Sequence, residues 1–205
     1  MDYPLTAPPF KMKDFEEMTK KEANEFFDWF IEEIPSRIEV LKEQTEHKIK
    51  LDYSKESLID LFTWYLSQIT VYELSEEEIQ ANLDDLCQYP DFVYESEKER
   101  LLKNPVELKK ENYTLAMDIA IYYGEVIIKN FPQIQWTFFT KPKSQSDLNE
   151  PILCFEEKGE DNWFERNPRS LMKILIQEIK RNEATNTSLY ETFLMDAEDI
   201  LGENE

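Results

Sequence analysis

The chain has 205 residues, a net charge of −21, 41% hydrophobic residues and 4 Trp, 10 Tyr and 13 Phe. That much apolar and aromatic material excludes a disordered acidic chain and requires a packed core. No apolar run approaches the roughly 20 residues a membrane helix needs. The first residues show no signal-peptide pattern, so a cytoplasmic protein is expected.

The acidity is localised. Residues 51–96 hold eleven acids against Lys55 alone, a charge of −10, and residues 182–205 hold seven acids and no base, a charge of −7. A field of that sign repels nucleic-acid phosphate and anionic lipid and attracts basic proteins. Solubility alone is the other reading of the same charge.

Residues 1–18, with Pro4, Pro8 and Pro9, read as an extended arm. Residues 19–181 read as a single globular unit, and 182–205 as an acidic C-terminal helix packed on it. Thr19 and Glu22 have the spacing of a capping box. Phe26, Phe27, Phe30, Ile31 and Ile34 then recur at helical period until Pro35, beyond which helix resumes to Lys48. A kinked helix and two short ones both fit. Ser54 is the expected cap of a helix carrying Leu58, Leu61, Phe62, Tyr65, Leu66 and Ile69. Ser75 and Glu78 form a second capping-box pattern, with Ile79, Leu83 and Leu86 behind it.

Residues 89–110, broken by Pro90 and Pro105, predict only a short helix near 97–102. Residues 112–130 are apolar nearly all round, the mark of a central helix. Glycine inside it, at Gly124, costs about 1 kcal/mol against alanine, so a close approach by another backbone, for instance the strand bearing Trp136, is expected there, with a π-bulge or kink as the alternative. Ile134, Trp136 and Phe138 alternate as in a strand, and residues 152–155 supply a second, giving an antiparallel hairpin over 134–156. Asn167 and Pro168 open another helix in the N-cap and first-turn positions. Ser188 opens the last, which Gly202 stops. The fold class is α+β, mostly helical with a small antiparallel sheet. The basic cluster Arg166, Arg169, Lys173, Lys180 and Arg181 is expected to pair with the acidic C-terminal segment and dock the last two helices as a hairpin.

Three scattered glycines offer no phosphate-cradling loop. One histidine, His47 at a helix end, supplies no triad base or zinc set, and the two cysteines, Cys87 and Cys154, are read as buried free thiols. No EF-hand window occurs. Neither catalytic nor metal residues are therefore assigned, and no cofactor is expected. Carboxylates remain the one open chemistry: Asp118 and Glu125, seven apart on the central helix, are the pair that could serve a hydrolase, against an edge-position or ion-pair role. For a binding protein the candidate contacts are Glu73, Glu76, Glu77, Asp84 and Asp85. Trp163 and Phe164, two aromatics in a polar loop, are either core clamps or partner anchors.

The segments 51–58 and 119–127 (Ile-Ala-Ile-Tyr-Tyr-Gly-Glu-Val-Ile), then Asn130-Phe131-Pro132, Trp136 and 149–153, resemble small acidic bacterial proteins, some of them assigned as immunity proteins of polymorphic toxin systems. The resemblance spans residues 25–156. It implies an α+β fold with the Tyr-Gly-Glu helix against the following hairpin, and a toxin-neutralising role. It carries no functional residues.

Overall fold

Thr19 accepts the Glu22 amide while Glu22 returns a carboxylate to the Thr19 amide at 2.8 Å, and this box opens α1 (Lys20–Gln44). In the computed structural model, which describes residues 3–156 and 164–202, Pro35 lies inside α1 and does not divide it. Ser36 Oγ donates to the Glu33 carbonyl at 2.9 Å beside the proline. The buried stripe Ala23, Phe26, Phe30, Ile34, Ile38 and Leu41 continues through it. Burial of that stripe outweighs the single hydrogen bond a proline removes.

The second helix starts later than expected, as α2 (Ser57–Gln68), with Glu56 at its cap position. Ser54 is occupied elsewhere: its amide and hydroxyl donate to Asp52 at 3.0 and 2.6 Å. Next come β1 (Val71–Glu73), α3 (Glu76–Leu86), α4 (Asp91–Lys103) and β2 (Val106–Leu108). The Ser75–Glu78 capping box is formed. Strands β1 and β2 pair antiparallel, Tyr72 opposite Glu107, and were not expected. The short helix foreseen at 97–102 is the end of the longer α4.

Helix α5 (Lys110–Asn130) is the centre of the molecule, with α1, α2 and α6 (Pro168–Lys180) all packed on it. The expected hairpin is present as β3 (Ile134–Thr137) and β4 (Ile152–Phe155), with Trp136 opposite Leu153. It gains a third strand, β5 (Glu165–Arg166), in the order β3-β4-β5. The architecture is α+β, mostly helical, with two small antiparallel sheets.

The last helix, α7 (Ser188–Leu201), ends at Gly202 with φ +67°. It packs on α2, so the expected α6–α7 hairpin is not the main contact of either helix. Only Arg166 of the basic cluster meets α7. Lys180 turns to Glu107 at 2.8 Å, Arg181 to Glu97 at 2.8 Å and Arg169 to Glu150 at 3.5 Å, and Lys173 is exposed. Carboxylates nearer these side chains displaced the ones adjacent in sequence.

Residues 3–18 run extended except for one 3-10 turn at Phe15–Glu17, yet they are tied to the body: Tyr3 is only 2% exposed. Gly124 meets the Trp136 ring itself, not a strand backbone. A Cβ there would sit 2.5 Å from Trp136 Cη2.

Candidate functional site

The acids singled out from sequence fall on a segment that buries little. Residues 71–108 carry eleven acids and three bases, a charge of −8. Helices α3 and α4 pack on each other above the β1–β2 ribbon; α3 has no buried residue and α4 has only Leu101. Capping starts α3, and Glu76, Glu77 and Glu78 lie in the first turn, where the helix dipole favours them. Glu78 is spent on the cap: hydrogen bonds from the Ser75 amide and hydroxyl hold its carboxyl below the ordinary value.

Glu73, Glu76, Glu77, Asp84 and Asp85 are all exposed. At about 100° per residue, Glu77 and Asp84 share one face of α3, with Glu76 and Asp85 about a quarter turn to either side. Asp85 also lines a polar groove between this hairpin and α6, with Glu97, Arg100, Glu107 and Lys180. Glu73 sits on β1 opposite Val106. The structure therefore groups two of the five on one helix face, with Glu76 and Asp85 flanking them on either side.

Apolar side chains accompany the acids. Phe92 is 77% exposed, and Tyr89, Leu102 and Val71 are exposed by more than half. Phe92, Glu95, Glu99 and Leu102 recur at three- and four-residue steps along the outer face of α4. Sequence reasoning missed this stripe, although its helical spacing was readable. Of the aromatic pair proposed as an anchor, Phe164 is 3% exposed and belongs to the core, so it is not a surface contact. Trp163 lies outside the described residues. Cys87, expected to be buried, is exposed at the end of α3, while Cys154 is buried.

The hairpin is fastened by a second set of charges. Glu107 accepts from Lys180 at 2.8 Å and from Tyr113 at 2.5 Å. Burial pushes its carboxyl up, but those bonds and the Leu108 amide outweigh it and hold the group below its ordinary value. Glu97 receives both Arg100 and Arg181.

Asp118 and Glu125 face different surroundings. Asp118 is 3% exposed, accepts Arg37 Nε and Nη2 at 3.0 and 2.7 Å, and accepts the Tyr3 hydroxyl at 2.5 Å. Burial pushes its carboxyl up against these bonds. Glu125 accepts the Trp136 indole N–H at 2.9 Å. A second buried set has the same make-up: Asp196 of α7 accepts Tyr123 at 2.7 Å and is gripped by the Arg166 guanidinium. Each aspartate is committed to an arginine and a tyrosine, which suits a structural tie.

Among the described residues, no group of three or more His, Cys, Asp or Glu could hold a metal ion, and no helix is long and apolar enough to cross a membrane. Comparison with family models, curated proteins and solved structures finds no match, so the likeness of residues 25–156 to immunity-type proteins rests on the sequence alone.

Proposed function

We propose that this chain is a non-enzymatic binding protein that engages a basic protein through the α3–α4 hairpin, as an immunity-type inhibitor would. The observation that carries the reading is the exposure of Phe92 in a segment of charge −8 that buries little of itself. An apolar anchor ringed by like charges is the make-up of an interface centre and rim. Acidic rims act mostly by steering, so they raise the association rate and make it sensitive to salt. The commitment of Asp118 and Glu125 to separate neighbours removes support from the hydrolase alternative.

The test is capture by the immobilised full chain at low salt, compared with a variant carrying E76Q, E77Q, D84N and D85N, and with F92A. A cationic protein retained by the wild type, lost in the charge variant and released by salt supports the reading. Identical capture by all three proteins would mean that the acidity serves solubility only.

A further inference from the structure

A cavity of about 360 Å³ opens between the N-terminal arm, α1, α5 and the start of α6. Its wall is aromatic and aliphatic: Phe15, Phe26, Trp29 and Phe30 face Met117 and Ile121. Phe15 meets Phe26 edge-on at 5.0 Å between ring centroids. Cavities of this size with apolar walls and a few polar groups are the usual form of a small-molecule site.

The charge at its edge differs from that of the rest of the molecule. Arg37 and Asp118 satisfy each other, which leaves Lys110 and Arg169 against Glu33 on the lining, a neutral edge once Glu150 behind Arg169 is counted, in a chain of −21. Arg169 is under-compensated in three ways. It lies in the first turn of α6, where the helix field favours an anion. Its Nη1 is sealed from solvent and makes no hydrogen bond. That same Nη1 stands 3.5 Å from Glu150 Oε2, an ion-pair contact to an oxygen that also accepts from Asn167 at 3.2 Å. The guanidinium lies over the Phe15 ring at 5.0 Å, and 27% of the side chain remains accessible.

We propose that this cavity binds a small monoanion with an apolar body, an aromatic or medium-chain carboxylate, whose charged end meets Arg169. An incoming carboxylate would meet the accessible part of the Arg169 side chain, which makes no side-chain hydrogen bond to another group among the described residues, and the aromatic wall would take the body out of water.

Calorimetric titration of the full chain with decanoate, 2-naphthoate and the neutral decanol tests the assignment. One saturable site is expected, with both acids bound more tightly than decanol. R169M should weaken the acids about tenfold, the contribution of a charge-assisted pair, and leave decanol unchanged. M117W, which fills the cavity from a half-buried helix position, should abolish all three. The tighter acid identifies the class, chain or ring. Absence of saturable binding by either acid, or equal affinities in R169M and wild type, overturns the proposal. If R169M does not melt cooperatively, the wild-type comparison decides alone: decanoate no tighter than decanol overturns it, and a clear preference for the acid, lost in M117W, sustains it.

Discussion

Gly124 shows how one missing side chain can be worth more than its propensity cost. Alanine there would normally stabilise a helix by about 1 kcal/mol, but its methyl would occupy space held by the Trp136 ring. G124A is therefore expected to destabilise by about 1–3 kcal/mol, the range for overpacking a filled core. In a W136L background the same change should become neutral or stabilising. Chemical denaturation of the four proteins of this cycle checks both signs. The glycine and the nearby tryptophan were legible in the sequence; that the ring and not the strand backbone fills the gap was not, because the rotamer depends on Phe30 and Glu125.

Asp118 is the second decisive residue. Its partner Arg37 lies 81 residues earlier in an otherwise apolar helix stripe. The sequence marked Asp118 as a carboxylate needing an explanation, but a lone arginine among phenylalanines and isoleucines gives no sign of what it faces. D118N should cost about 3–5 kcal/mol, since it leaves the Arg37 charge buried without a counter-ion. Y3F, which removes one hydroxyl donor, should cost about 1 kcal/mol. Thermal melts of the two variants give the comparison, and equal losses would contradict the ranking.

At the scale of elements, the long helices were readable because burial imposes a period on one face: most of each stripe in α1, α2 and α5 is buried, although Ile31 of the α1 stripe is exposed. Strands β1, β2 and β5 have two or three residues each, too few to show an alternation. Helix α4 buries one side chain, so no stripe announced its length. The same thin burial makes the α3–α4 hairpin the least protected part of the fold. Its amides are expected to exchange with deuterium ahead of those of α5, since opening there exposes little apolar surface. The Lys180–Glu107 tie adds a pH dependence. Because Glu107 is held below its ordinary value of 4.5 in the folded chain, its contribution is present at neutral pH and is lost as the pH falls below that value. Protection in β1–β2, measured relative to the intrinsic exchange rate at the same pH, should fall on acidification, and E107Q should remove part of that fall.

Across the whole molecule the charge is divided by place. The acidic hairpin carries −8, while the edge of the aromatic cavity is close to neutral and holds Arg169 and Lys110. Raising salt from low to physiological strength shortens the screening length from about 30 to about 8 Å. Capture of a basic partner by the hairpin should therefore fall with salt mainly through a slower association rate, read by stopped flow or surface binding. The localisation of charge could be counted from the sequence. Its placement on a hairpin with little core of its own could not, because that depends on β1 meeting β2 across 33 residues.

The two Tyr–Asp–Arg clasps also bear on the order of assembly. Tyr3 closes on a residue 115 positions away, and Asp196 on one 73 positions back, both on α5. A ribosome must pass Asp118 before the arm has anything to hold, and must pass Asp196 before the far side of α5 is sealed. Such high contact order slows folding and defers closure to the end of synthesis. A chain ending near residue 130 would have α1 and α2 to cover α5 but not α6, so that one side of this helix would stand as exposed apolar surface for a chaperone to hold.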